Sequence, residues 1–274
     1  LWTNAAYLAE ATPVFYRCHQ ENNWQPDPEE IKSLITERTR AILIINPNNP
    51  TGVIYGPELL KELVEVAREN KLLIFSDEIY DRLLLGDAVH VSTASLCPDL
   101  PVITFNGLSK SHVVCGFRCG WMCVSGPDEL TKDYKAALTA LAAMRLCGNA
   151  LTQLVIPAAL EDSAYTKQMM SPGGRLYEQS KAACDALEKI PGLTFVRNQA
   201  AFYVFPKLDI EQFGITDDRK FALDLLHEKH ILLVAGSGFD WPEPDHFRLV
   251  LLPEAQELKK AIEDIGDFLS TYHQ

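Results

Sequence analysis

Long hydrophobic runs are missing from this 274-residue sequence. Its apolar runs, such as residues 41–45 and 249–252, are far shorter than the roughly 18 residues that suggest a membrane-spanning helix. No basic segment followed by an apolar one opens the chain, so no secretory signal is predicted. Hydrophobic residues make up 47% and charged residues 23%, which is typical of a globular protein. We therefore expect a cytoplasmic protein with no membrane partner.

Positive charge is scarce. Lysine and arginine number 25 against 37 aspartates and glutamates, and the net charge is −12. An acidic chain repels nucleic acid unless a local basic patch overcomes the repulsion, and no basic run is present. We expect no nucleic-acid partner. A few individually placed cations must hold any anionic ligand.

The seven cysteines are scattered and odd in number, which is typical of reduced thiols in the cytosol. Cys115, Cys119 and Cys123 recur every four residues, a spacing that would stack them on one face of a helix. The glycines and large side chains between them favour a strand instead, which would break that face. We expect small buried core residues here and predict no metal site.

Alternating strand and helix patterns predict an α/β fold with a mostly parallel, doubly wound sheet. An apolar strand at 40–45, a helix at 57–70 with apolar residues at 3.6-residue spacing, and a second apolar strand at 72–75 form a βαβ unit. Further strands are predicted at 102–105 and 116–124. The length suggests about two domains. We expect a large domain over 1–171 and a smaller α+β domain over 172–274.

Ligands of such sheets bind beyond the carboxyl ends of the strands. The loops at 46–52 and 76–80 follow two of these ends, so both belong to the predicted site. Asp77 directly follows a buried strand, where a carboxylate is costly to desolvate unless a cation meets it. Tyr80 could reach the same cavity, and Asn49 offers an amide from the adjacent loop. Lys110 follows the third strand, where a buried amine can lose its proton and become a nucleophile.

Four motifs occur in a fixed order: NPNNPTG at 46–52, SDEIY at 76–80, SK at 109–110 with GFRCGW at 116–121, and HFR at 246–248. Taken together, they resemble the class I/II aminotransferases, which are fold-type I enzymes that depend on pyridoxal 5'-phosphate (PLP). The resemblance covers essentially the whole chain. It implies an enzyme with amino-acid and 2-oxo-acid substrates, and a homodimer in the full-length protein.

The resemblance also implies roles around the cofactor. Lys110 would form a Schiff base with the cofactor aldehyde and later shuttle the proton of the substrate Cα. Asp77 would face the pyridine nitrogen and keep it protonated, so that the ring acts as an electron sink. Tyr80 and Asn49 would hydrogen-bond the phenolic oxygen of the ring and lower the pKa of the Schiff base.

Two anions need cations in this interpretation. Arg118, with Ser109 nearby, would bind the cofactor phosphate. Arg248 would bind the substrate α-carboxylate, assisted by Asn49, in a two-pronged geometry that lysine cannot match. These residues would explain how an acidic protein holds anionic ligands.

Within the family, the segments FNGLSK, MRLCGN, PGGRLYEQ and AGSGFDWPEPDHFR are most similar to the bacterial alanine (glutamate–pyruvate) type. The expected reaction is alanine with 2-oxoglutarate to pyruvate and glutamate. The next choices are valine–pyruvate transamination and C–S lysis, because such enzymes share the same lysine, aspartate and tyrosine.

The sequence departs from the family pattern in three places. Gly107 stands where many relatives have a phosphate-binding serine, and Ala200 stands where glycine is usual. Family members also carry more than about a hundred residues before the position of Leu1. We expect the chain to be the C-terminal two-thirds of such an enzyme, with the aromatic residue that stacks on the cofactor just upstream of Leu1. We expect it to be impaired on its own.

Two hypotheses outside the family remain. The segment LLIFSDE is similar to a Walker B strand that handles magnesium in nucleotide hydrolases, although no GxxxxGK[ST] loop is present. Alternatively, the chain is a non-catalytic fragment that acts only by association, because missing elements would leave apolar surface exposed.

Overall fold

A four-stranded sheet in the order β1-β2-β3-β4 organises the first part of the molecule. The computed structural model describes residues 1–274. The strands are β1 Ala41–Ile45, β2 Leu73–Asp77, β3 Val102–Gly107, β4 Gly120–Ser125, β5 Leu193–Thr194, β6 Tyr203–Val204, β7 Lys207–Leu208, β8 Val234–Ala235 and β9 Phe247–Val250. The helices are α1 Trp2–Leu8, α2 Pro28–Leu34, α3 Pro57–Glu69, α4 Leu108–Ser111, α5 Asp128–Arg145, α6 Ala150–Leu154, α7 Ile156–Glu161, α8 Ala164–Met170, α9 Arg175–Leu187, α10 Ile210–Phe213, α11 Asp218–Lys229 and α12 Ala255–Thr271. None of these helices is long and apolar enough to span a membrane.

Strands β1, β2 and β3 are parallel, and β4 pairs antiparallel to β3. Helix α3 supplies the crossover from β1 to β2 and buries one apolar face, of which Leu60 and Leu63 are fully inaccessible. In the register, Ile45 pairs with Asp77 and Asp77 pairs with Phe105. The carboxyl ends of the three parallel strands therefore meet at one edge. The predicted α/β fold class with a mostly parallel sheet is confirmed.

Two clusters of buried apolar side chains form the core. The smaller packs α3 against the first sheet and includes Trp24 and Phe205. The larger is built mainly from α9, α11, α12 and the three-stranded sheet β6-β9-β8, but it also includes Tyr80 and Met170. The predicted α+β character of the C-terminal part agrees with these elements. The division at residue 171 stays a prediction.

The predicted strand at 116–124 begins too early. Residues Cys115–Phe117 form a 3-10 turn, Arg118 has a left-handed φ of 52°, and the strand starts only at Gly120. The cause is the pairing with β3. The ladder stops at the pair Gly107–Gly120, beyond which the chain of β3 turns into α4 and offers no further partner.

The cysteine prediction is only partly right. Cys119 is buried, whereas Cys115 and Cys123 are exposed. Cys115 lies on the 3-10 turn, and Cys123 lies on β4, which is an edge strand of the sheet with a largely exposed outer face. All seven cysteines are free thiols.

Gly52 is one of the residues that join the first sheet to the C-terminal part. The carbonyl oxygen of Gly52 accepts hydrogen bonds from the backbone N–H groups of Gln199, at 2.8 Å, and Ala200, at 2.9 Å. Gly52 has a φ of 71°, and a Cβ atom placed there would lie 2.5 Å from Cβ of Asn198 and 2.7 Å from the carbonyl oxygen of Tyr203. Only glycine fits both the backbone conformation and the space.

We expect Gly52→Ala to destabilise the fold by about 2–4 kcal/mol, because a left-handed alanine costs about 1 kcal/mol and the steric overlap adds about 1–3 kcal/mol. Urea unfolding at constant pH measures this change. Gly173→Ala is the matched control, since Gly173 has a φ of 83° but open space around it. That variant should lose only the conformational part. Equal losses in both variants would contradict the steric contact at Gly52.

Candidate active site

The carboxyl edge of the parallel strands gathers most of the residues that the sequence singled out. Asp77 is the last residue of β2 and is half-buried. Its Oδ2 accepts a hydrogen bond from Nε1 of Trp2 at 3.0 Å, and its Oδ1 accepts one from the N–H of Ile79 at 3.3 Å. Burial raises the pKa of the Asp77 carboxyl, and the two hydrogen bonds offset only part of the effect. No lysine or arginine forms a salt bridge with this carboxylate.

Lys110 and Ser109 belong to the short helix α4, which begins directly after β3. The Lys110 ammonium lies 5.8 Å from the centre of the Phe202 ring. The Phe202 ring in turn lies 6.0 Å from the Tyr80 ring, with the two rings nearly perpendicular. The amine is therefore next to the aromatic wall of the site, at the same edge as Asp77. Both Lys110 and Ser109 are partly exposed.

Tyr80 is buried, with 3% of its surface exposed, and its hydroxyl lies 3.0 Å from the hydroxyl of Tyr203. Burial raises the pKa of Tyr80, and the neighbouring Tyr203 and Asp77 raise it further. The Tyr80 hydroxyl therefore stays protonated at neutral pH, and either hydroxyl of this pair can be the donor.

Arg248 on β9 lies between two aromatic rings. Its guanidinium carbon is 4.5 Å from the ring centre of Tyr203 and 4.8 Å from that of Phe239. Its Nη1 donates a hydrogen bond to Oδ1 of Asn49 at 2.9 Å, whereas its buried Nε has no partner. Burial lowers the pKa of the Arg248 guanidinium. A planar cation that is fixed in place and still has free donors is a good receptor for a carboxylate.

Arg118 does not join this group of residues. It is exposed, and its Nη1 donates to the carbonyl oxygen of Cys115 in its own turn at 2.7 Å. No hydrogen bond connects it with Lys110, Ser109 or Asp77. Its role as a phosphate ligand stays a prediction.

The structure adds residues that the sequence did not single out. Trp2 reaches Asp77, and its ring lies 4.9 Å from the Phe105 ring in an edge-on arrangement. The expectation that an aromatic residue upstream of Leu1 stacks on the cofactor stays a prediction. Phe202 and Tyr203 also line the site. The aromatic pair in the AFYVF segment was their only signal, and it fits ordinary core packing equally well.

Glu78 argues against the nucleotide-hydrolase alternative. Its carboxylate is buried and accepts hydrogen bonds from Ser76, Ser92 and the N–H of Thr93. It therefore joins β2 to the segment of Ser92 and Thr93 through hydrogen bonds, which is a structural role.

Gly107 departs from the family serine for a steric reason. A Cβ atom there would lie 2.7 Å from the carbonyl oxygen of Cys119, so this backbone leaves no room for a side chain. A serine that binds phosphate at this position in relatives therefore has no counterpart here.

Comparison with known proteins decides the family. The profile described as "Aminotransferase class I and II" matches residues 2–265. The chain belongs to the class I and II aminotransferases. Over its whole length it is 48% identical to glutamate-pyruvate aminotransferase AlaA of Escherichia coli, of which it covers 68%. It is 47% identical to alanine aminotransferase of Mycobacterium bovis, of which it covers 64%.

Solved structures agree with this assignment. A crystal structure of an aminotransferase from Escherichia coli has a TM-score of 0.97 at 48% identity, with all of this chain and 68% of that chain covered. Alanine aminotransferase from Pyrococcus furiosus has a TM-score of 0.92 at 38% identity, with 98% of this chain and 67% of that one covered. The nucleotide-hydrolase hypothesis is therefore wrong.

Aminotransferases of this class use PLP, and the residues present fit this cofactor. The half-buried Asp77 carboxylate lacks a cationic partner, as is expected of a group that faces a protonated pyridine nitrogen. Tyr80 offers a protonated hydroxyl beside it. Lys110 presents an amine at the same edge.

We expect Asp77→Asn to stabilise the cofactor-free aminotransferase at neutral pH by about 0.5–2 kcal/mol, because the substitution removes an unpaired, partly buried charge. The folded-state pKa of Asp77 is raised, so the wild type loses stability as pH rises through that pKa. The advantage of the variant should therefore shrink toward acidic pH. Urea unfolding between about pH 3 and about pH 8 measures it.

Asp99→Asn is the control of opposite sign. The hydrogen bond from Arg68 lowers the pKa of the exposed Asp99, so this variant should be less stable than the wild type at neutral pH and equal to it in acid. An Asp77→Asn variant that follows the Asp99 pattern would show that Asp77 is compensated in the folded protein.

Proposed function

We propose that this aminotransferase transfers the amino group of alanine to 2-oxoglutarate, giving pyruvate and glutamate. The observation that carries the proposal is the Asn49–Arg248 pair, which holds a guanidinium with free donors beside Tyr203 and Tyr80. This arrangement suits the α-carboxylate shared by amino acids and 2-oxo acids. The names of the 48% and 47% identical relatives, glutamate-pyruvate aminotransferase and alanine aminotransferase, support glutamate, pyruvate and alanine as reactants.

PLP supplies, when bound, the aldehyde that receives the amino group and the ring that delocalises negative charge. The Asp77 carboxylate would face the pyridine nitrogen of the cofactor and keep that nitrogen protonated. Lys110 binds the cofactor and moves the proton of the substrate Cα with its Nζ. The Tyr80 hydroxyl and the Asn49 amide N–H would each donate a hydrogen bond to the phenolic oxygen of the bound cofactor. In this assignment, each residue acts from one edge of the parallel sheet.

Ser109 and Arg118 are our candidates for binding the cofactor phosphate. Arg118 would have to turn its guanidinium away from the carbonyl oxygen of Cys115, which costs one hydrogen bond. Arg248 binds the α-carboxylate through two parallel N–H groups, while Asn49 keeps the guanidinium plane oriented.

We further propose a cytoplasmic homodimer. Seven free cysteines suit a reducing compartment. Apolar side chains of α5, α6 and the loop between them are strongly exposed and suit burial against a second copy: Leu141, Met144, Leu146, Leu151 and Leu154. The molar mass in solution, measured by light scattering, tests the dimer.

Lysine labelling tests the cofactor site. The full-length protein, purified and mixed with PLP, should show a visible absorption band, and borohydride should fix the pyridoxyl group on Lys110. Lys110→Ala should lose both the band and the label, whereas Lys71→Ala, which changes an exposed lysine, should keep them. A label on any other lysine, or no band in the wild type, would refute the assignment.

A panel of alanine, valine and a cysteine thioether then distinguishes the alanine-type reaction from the valine–pyruvate and C–S lyase alternatives.

Arg248→Lys tests the carboxylate receptor. The lysine keeps the charge but loses the fork and the stacking between two rings, so we expect kcat/KM for alanine to fall roughly 10–100-fold, mainly through KM. Steady-state kinetics of pyruvate formation measure this loss. Arg197→Lys, at a surface ion pair with Asp185 and Glu188, should leave kcat/KM unchanged. An unchanged KM in Arg248→Lys would exclude Arg248 as the receptor.

A further inference from the structure

Tyr203 contacts two residues of the site that have different proposed roles: Tyr80, which binds the cofactor, and Arg248, which binds the substrate carboxylate. Its hydroxyl lies 3.0 Å from that of Tyr80, and its ring lies 4.5 Å from the guanidinium carbon of Arg248. Tyr203 is itself 4% exposed and sits on β6, which pairs with β9, the strand of Arg248. Its position is therefore determined by the sheet and not by a mobile loop.

The direction of the hydroxyl pair follows from proton counting. Each tyrosine has one hydroxyl proton, and only one of them can lie between the two oxygens. If Tyr80 directs its proton to the phenolic oxygen of the cofactor, Tyr203 has to donate to Tyr80. Donation into the Tyr80 oxygen polarises the Tyr80 O–H bond and strengthens it as a donor.

The ring of Tyr203 acts on the other neighbour. Together with Phe239 it encloses the guanidinium of Arg248 from two sides, while Asn49 accepts from Nη1. A stacked guanidinium has fewer orientations to lose when it binds a carboxylate. Hydroxyl and ring thus act on two different ligand groups.

We propose that Tyr203 is a positioning residue that sets the donor strength of Tyr80 through its hydroxyl and the orientation of Arg248 through its ring. The proposal rests on the proposed function, since it deepens the assignment of Tyr80 and Arg248. The charged groups that bear on the Tyr80 hydroxyl are Asp77 from β2 and Arg248 from β9. Neither of them hydrogen-bonds to it, so Tyr203 is its direct partner within the chain.

The first test separates the hydroxyl from the ring. In Tyr203→Phe the ring remains, so KM for alanine should change less than about 2-fold, while the pKa of the visible absorption of bound PLP should rise by about half to one unit, because a weakened Tyr80 donor stabilises the phenolate less. Phe239→Leu should change KM for alanine and leave the pKa of the visible absorption unchanged, because it alters a ring next to Arg248 and no hydroxyl. Its KM should rise roughly 3–10-fold with no shift in the absorption pKa.

The second test asks whether Tyr203 acts through Tyr80. Tyr80→Phe should raise the absorption pKa by more than Tyr203→Phe does, and Tyr203→Phe should add no further shift in the Tyr80→Phe background. Tyr16→Phe is the matched control, because it removes another hydrogen-bonded tyrosine hydroxyl, which donates to the carbonyl oxygen of Leu43 outside the site. This control should leave the spectrum unchanged.

A normal band in the wild type with no shift in Tyr203→Phe, or an equal shift with and without the Tyr80 hydroxyl, would overturn the role of Tyr203 alone. No PLP band in the wild type would overturn the proposed function and this inference with it. Thermal unfolding of each cofactor-free variant establishes that the protein is folded, so a spectral change in a variant that melts like Tyr16→Phe reports the site and not a loss of structure.

Discussion

The two hydrogen bonds that the carbonyl oxygen of Gly52 accepts hold the site together. They tie the loop after β1 to the segment that leads into β6, and the left-handed glycine lets the two backbones approach closely. As a result Asn49 and Arg248, which are 199 residues apart in sequence, meet at 2.9 Å. This contact and the hydrogen bond from the N–H of Ala201 to the carbonyl oxygen of Leu83, at 2.8 Å, hold the segment of Tyr203 against the first part of the chain.

The buried charges of Asp77 and Arg248 destabilise the protein when no ligand is bound. Burial raises the pKa of Asp77 and lowers that of Arg248, so both charged forms are destabilised by their surroundings. Neither group has an ion-pair partner within the chain. A pyridinium opposite Asp77 and a carboxylate opposite Arg248 would remove both penalties. The same desolvation that weakens the fold therefore favours the ligands, which is typical of functional sites.

Much of the fold was predictable because local patterns and tertiary packing agree. Helix α3 and strands β1 and β2 lie within one or two residues of their predicted positions, since periodic apolar residues mark each of them. The start of β4 was not predictable. Its first paired residue is Gly120 because β3 turns into α4 after Gly107, and this event lies on a different segment of the chain. Arg118 consequently lies on an exposed turn instead of a strand.

The sequence by itself determined the family, the succession of strands and helices along the first part of the chain and the chemical groups available at the strand ends, because motifs and apolar periodicity are local properties. The tertiary structure alone decided which of these groups meet. It paired Asn49 with Arg248, placed Trp2 on Asp77 and brought Tyr203 to Tyr80, and it left Arg118 on its own turn. Such contacts depend on the backbone path between distant segments, which no local pattern contains.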